Sequence, residues 1–242
     1  MNPVTEAIKG FVNLIYPRSC AVCKKSLGSS EECAVCAPCV SRITTHPKPY
    51  CRLCGKTVPD RGGLCADCRR QNPSFAMARS ACLYEGALKE LIHLFKYNNR
   101  RSLAGLFSRY MIDFLKDDHA LTEGAGLITF VPLQRKRRCE RGFNQSRLLA
   151  SNIAAAVGLG LADCLDKKKA TRNQNELPRS DRLQNVKGAF RVRSGREALI
   201  QDQAILLIDD VMTTGSTLDE CSRVLLDAGA KEVRCLTLAR GS

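Results

Sequence analysis

At 242 residues the chain has room for one large domain, or for a small module joined to a core of about 150 residues. Its formal net charge of +14, from 38 Lys and Arg against 24 Asp and Glu, favours polyanionic partners. No run of about 20 apolar residues is present, which excludes a transmembrane helix, and the first 17 residues are too interrupted for a signal peptide.

Within residues 1–17, Val4, Ile8, Phe11, Val12 and Ile15 recur at helical spacing, so a short docking helix is expected. Nine of the fourteen cysteines lie before residue 70. In a chain without secretory signals, read as cytoplasmic, thiols stay reduced, and clustered cysteines point to metal rather than disulfides. The pattern is Cys20-x2-Cys23 with Cys36-x2-Cys39, then Cys51-x2-Cys54 with Cys65-x2-Cys68. Two knuckles a dozen or so residues apart let four thiolates close a tetrahedron, so residues 18–72 are expected to form a double ribbon on two structural Zn²⁺. An iron–sulfur site or a thioredoxin-like motif is the competing reading, and a fourfold repeat without a redox fold favours zinc. Cys33 offers an alternative knuckle with Cys36, although Val40 and Ile43 favour the Cys36/Cys39 pair. His46, between the two sets, is expected to be a loop residue. Eight thiolates holding two Zn²⁺ remove four charges, which leaves about +10.

Residues 73–242 read as a separate α/β domain. Ala78–Tyr84 is strand-like with poor alternation. Leu88, Leu91, Ile92 and Phe95 mark one helix face, and Leu103, Leu106, Phe107, Tyr110, Met111 and Phe114 mark another. The junction Phe95–Arg101 is expected to be a solvated loop between helices, with Lys96 facing the ligand cleft as the alternative. Leu127–Val131 reads as a buried strand, and Pro132 ends it. A basic loop follows, with five cations over positions 135–141, and then Gly142, which permits a tight turn before a helix bearing Leu148, Leu149, Ile153 and Val157. Lys167 to Arg182 is polar and aperiodic. A parallel sheet is expected from Leu127–Val131, Ala204–Ile208 and Val233–Leu238, with further strands near Asp163–Leu165 and Lys187–Val192. A helix over residues 216–228, ended by Gly229, provides a right-handed crossover.

The segment Ile205–Thr217 carries most of the chemistry. An apolar run ends in two adjacent carboxylates, Asp209 and Asp210, and a turn rich in hydroxyls opens the next helix. Such a turn aims backbone N–H groups and the helix dipole at an anion, and the carboxylates can accept bonds from a sugar diol or hold a hydrated metal. Ribose plus phosphate fits both halves.

IDDVMTTGST resembles the phosphoribosyl-pyrophosphate (PRPP) motif of type I phosphoribosyltransferases along its whole length. The resemblance implies that Asp209 and Asp210 bind the ribose hydroxyls. It assigns the 5′-phosphate to the turn of Val211, Met212, Thr213, Thr214, Gly215, Ser216 and Thr217. It also implies that the basic segment meets pyrophosphate, with Arg135, Arg138, Arg141, Gly142, Asn144 and Gln145 as candidates, and that Mg²⁺ accompanies PRPP. The polar segment matches the mobile hood of that fold, with Thr171, Gln174, Arg182 and Asn185. VPLQRKRRCERGFNQSRLLA, together with the paired ribbons, resembles the ComF/GntX family, a competence-associated branch of this fold. The fold class implied is α/β, a type I phosphoribosyltransferase-like parallel sheet flanked by helices behind an N-terminal double zinc ribbon.

Two functions follow as expectations. The family resemblance implies handling of single-stranded DNA in DNA uptake, alongside DNA-uptake or recombination proteins. The intact PRPP motif implies catalytic phosphoribosyl transfer to an unidentified acceptor. A ribbon scaffold for protein partners is a third reading. No residue stands out as a general base.

Overall fold

The computed structural model describes residues 19–28, 34–59, 63–168 and 186–241. The expected helix over residues 1–17, Cys33, and the hood candidates Thr171, Gln174, Arg182 and Asn185 lie outside the described residues.

The chain enters through two cysteine-rich modules containing α1 (Ala37–Val40) and α2 (Ala66–Gln71). It then forms β1 (Met77–Leu83), α3 (Gly86–Tyr97), α4 (Leu103–Asp117), β2 (Leu127–Phe130), α5 (Arg135–Arg141), α6 (Gln145–Val157) and β3 (Gly160–Leu161). β4 (Leu165–Lys167), β5 (Phe190–Val192), α7 (Glu197–Ile200), β6 (Ala204–Met212), α8 (Ser216–Asp227) and β7 (Glu232–Arg240) complete it. The main sheet is five-stranded, ordered β1-β7-β6-β2-β3 and parallel throughout. α8 links the adjacent parallel strands β6 and β7, and Gly229 follows it at φ +94°.

Parallel strands are covered on both faces, which explains the unbroken apolar runs. Leu206, Ile208, Leu236 and Leu238 pack on one side with α3, α4 and α6, while Ile205, Leu207, Val233 and Cys235 pack on the other with α8. The first cysteine module joins the first of these cores and the second module joins the other. β1 joins the sheet at its edge beside β7, and burial on both faces accounts for its weak alternation in sequence. Its outer edge is met by Thr44–His46, through Leu83 N–H to Thr44 O and His46 N–H to Ala81 O, which blunts an otherwise open strand.

Two expectations are corrected. The strands near 163–165 and 187–192 do not extend the parallel sheet; β4 and β5 pair with each other, antiparallel. Thr129 causes the departure: its hydroxyl donates to Ala162 O and accepts from Cys164 N–H, turning the chain away from the sheet after the two-residue β3. The basic segment is a helix, α5, rather than a loop. Gly142 ends it in the left-handed region at φ +74°, with its N–H returning to Arg138 O.

Candidate functional site

β6 lies between β2 and β7, so its C-terminal end opens into the crevice where ligands of open α/β sheets bind. Asp209 and Asp210 stand at that end. They share a cleft of about 160 Å³ with Thr213 and Thr217 from the turn and with Lys96, Tyr97 and Arg141. Gly215 caps α8 at φ +84°, a left-handed backbone that strains other residues and favours glycine in the turn. Thr214 and Ser216 join their hydroxyls at 2.8 Å. With Gly215 they line a second hollow, shared with Cys54 and Cys68 of the second cysteine module, on the other side of the turn from the aspartate cleft.

Adjacent carboxylates repel unless compensated. Asp209 is held by Ser146, whose hydroxyl donates at 2.8 Å, and by the N–H of Asp210 at 2.9 Å. Lys96 reaches Asp210 at 2.7 Å. Burial and the neighbouring Asp210 charge nevertheless outweigh these contacts and raise Asp209 to about 7. Thus the expected solvated junction is corrected in part: Lys96 is a cleft residue at the end of α3. Arg101, from the same junction, donates to Gly142 O at 2.6 Å and lies over the Phe143 ring, pinning the α5–α6 turn.

Asn144 caps α6, accepting from Ser146 and Arg147 N–H, while its amide donates to Val131 O. That cap delivers Ser146 to Asp209 and Gln145 to the cleft wall. Gln145 is 1% exposed and accepts from Arg141 at 3.2 Å. Its Nε2 finds no acceptor among the described residues, an arrangement that suits a ligand oxygen. Arg141 also lies 4.9 Å from the Tyr97 ring at the cleft mouth. Of the six sequence candidates in this region, Arg141, Asn144 and Gln145 line the aspartate cleft, whereas Arg135, Arg138 and Gly142 line a larger basin beyond α5 that Asn144 also borders. Lys96 takes the cleft-facing place the sequence offered as its alternative, whereas Ser146 and Lys167 were not among the sequence candidates. The capping Asn144 was the signal that could have found Ser146, two residues into the helix.

The cysteines form two groups, Cys20/Cys23/Cys36/Cys39 and Cys51/Cys54/Cys65/Cys68, with the sulfurs of each group within 4.8 Å of one another. The donor set fits Zn²⁺. Burial disfavours the Cys20 thiolate, but N–H donors of Cys36, Cys23 and Val22 outweigh it and bring the thiol down to about 6. Donors from Cys54, Cys65 and Leu53 likewise bring Cys51 to about 7. His46 joins neither group; its Nδ1 lies 3.3 Å from Pro47 O. The guanidinium of Arg240, at the end of β7, donates to Cys54 O at 2.6 Å and lies 3.5 Å from Cys54 Sγ.

A phosphoribosyl transferase domain model matches residues 144–242, and a double zinc ribbon domain model matches residues 11–69. DNA utilization protein YhgH of Escherichia coli K12 is 32% identical over 234 residues, covering 94% of this chain and 99% of the relative. Competence protein F of Haemophilus influenzae is 32% identical over 226 residues, 91% of this chain and 96% of the relative. Competence protein ComFC of Streptococcus pneumoniae is 27% identical over 213 residues, 87% and 90% of the two chains. With its parallel sheet, carboxylate-and-turn cleft and paired tetracysteine sites, the chain belongs to the ComF family of competence and DNA-utilization proteins.

Proposed function

We propose that the cleft binds PRPP with Mg²⁺ and that the protein acts in the cytoplasm, in DNA uptake, by handling single-stranded DNA. One observation carries the ligand assignment: two adjacent carboxylates share a cleft with Thr213 and Thr217, the two ends of the turn, and with Lys96 and Arg141. The carboxylates accept bonds from the ribose 2′- and 3′-hydroxyls, and the turn, at the N-terminus of α8, takes the 5′-phosphate. Arg141 and the unpartnered Gln145 amide meet the pyrophosphate oxygens. Mg²⁺, when bound, neutralises pyrophosphate charge beside Asp209 and Asp210. The names of the relatives and the basic surplus support the DNA role.

A second reading, phosphoribosyl transfer to an acceptor, is favoured by Asp209. A carboxyl near neutrality in a ligand cleft is poised to exchange a proton at working pH. Both readings are tested by single-strand binding at several salt concentrations, paired with a search for pyrophosphate released from PRPP. Salt-dependent strand binding without release supports the first. Strand binding that is absent or indifferent to salt contradicts it, and acceptor-stimulated release establishes the second.

A further inference from the structure

The cations of α5 face two different hollows. Arg137 and Arg141, four residues apart and hence on one helix face, line the aspartate cleft. Arg135 and Arg138, three apart, line a basin of about 710 Å³ on the other side of the helix. Pro132, Leu133, Asn144 and Lys167 border both and form a saddle between them. The basin volume lies within the range of about 300–1,000 Å³ usual for ligand sites, whereas the cleft is smaller.

Its chemistry also differs. Phe130, Pro132 and Leu148 border a basin whose lining is mainly polar, and Arg135, Arg138 and Arg147 stand exposed around it. The two carboxylates present, Asp163 and Asp166, are both held by Arg193, at 3.1 and 2.9 Å. No pair is therefore left to accept a vicinal diol, the group that Asp209 and Asp210 suit in the cleft. Three exposed guanidiniums around a mainly polar basin suit the phosphates of a phosphodiester backbone.

We infer that this basin is the strand-binding site: it takes the phosphates of a single-stranded oligonucleotide, is indifferent to the 2′-hydroxyl, and is separate from the ribose-phosphate cleft. The inference rests on the proposed DNA role and adds where the strand lies and how it is read. Because the arginines contact phosphates, binding is tolerant of sequence and sensitive to salt.

The test is fluorescence anisotropy with labelled hexathymidylate and hexauridylate on the zinc-loaded full chain, comparing wild type with Arg135→Ala/Arg138→Ala. Both side chains are exposed, and zinc content together with the thermal midpoint checks folding. The double variant is expected to bind hexathymidylate at least about tenfold more weakly and to lower the slope of log affinity against log salt by about 1.4. PRPP affinity, measured by calorimetry, stays within about twofold, saturating PRPP leaves the strand bound, and the two oligonucleotides bind alike. Undiminished strand binding by the variant overturns the site and leaves the DNA role standing. Parallel loss of PRPP affinity, or displacement of the strand by PRPP, overturns the separation of the two sites. A wild type that binds neither oligonucleotide overturns the DNA role itself, and this inference with it.

Discussion

Asp209 is the residue on which cleft chemistry turns, because its carboxyl is raised to about 7 by burial and by Asp210 despite bonds from Ser146 and the Asp210 amide. An acid whose folded pKa is raised binds more protons in the native than in the unfolded chain between about pH 4 and 7. Stability therefore falls as pH rises through that window. Asp209→Asn is expected to flatten this slope and to raise stability at pH 8 by about 1–2 kcal/mol, read by denaturant titration at several pH values, while weakening PRPP binding. Lys96→Met removes the cation 2.7 Å from Asp210. The Asp209 carboxyl is then expected to titrate at higher pH, visible as a shifted carboxyl resonance, and an unchanged titration would show that Lys96 does not compensate the pair. The aspartates and the hydroxyl turn were legible in sequence because they are contiguous. Lys96 was less legible, because it reaches them from a helix more than a hundred positions earlier, and no local pattern records which way the end of α3 points.

At the scale of elements, the second tetracysteine module is fastened to both ends of the β6–α8 turn. On the strand side, Arg240 bonds Cys54 O and touches the Met212 sulfur at 3.1 Å, while Gly241 N–H donates to Met212 O. On the helix side, Ser74 N–H, just beyond α2, donates to Asp219 in the first turn of α8 at 2.6 Å. A zinc–tetrathiolate centre carries net negative charge, and the Arg240 guanidinium beside Cys54 Sγ offsets it. Arg240→Met is expected to weaken zinc at the second site about 10–100-fold and leave the first unchanged, so that limiting chelator leaves one zinc per chain. Equal loss from both sites would contradict the coupling. The cysteine spacing made both modules legible in advance. The placement of β4 and β5 was not, since Thr129 turns the chain by side-chain bonds that period-2 patterning does not record. The helical state of α5 was likewise hidden, because a run of cations has no apolar face to set a period.

Across the whole molecule, the two cysteine modules join opposite faces of one parallel sheet, and the segment between them covers the β1 edge. The modules thus share both cores of the α/β domain. Stripping zinc with a chelator is therefore expected to lower the thermal midpoint of the whole chain, and a calorimetric trace in which the α/β domain melts unchanged would contradict this. Among the described residues no helix is long and apolar enough to cross a membrane. The formal charge of +14 is spread widely, but the cations that matter for ligands gather around α5, between the cleft and the basin. The proposed PRPP chemistry depends on the β6–α8 cleft acting as a ribose-phosphate site. Isothermal titration calorimetry of PRPP with Mg²⁺, on wild type and on Asp209→Asn/Asp210→Asn, tests it most directly. Saturable one-to-one binding by the wild type is expected, weakened at least about 100-fold in the double variant with folding and zinc content retained. Wild-type protein that binds no PRPP, or a variant that binds it equally well, would contradict the claim.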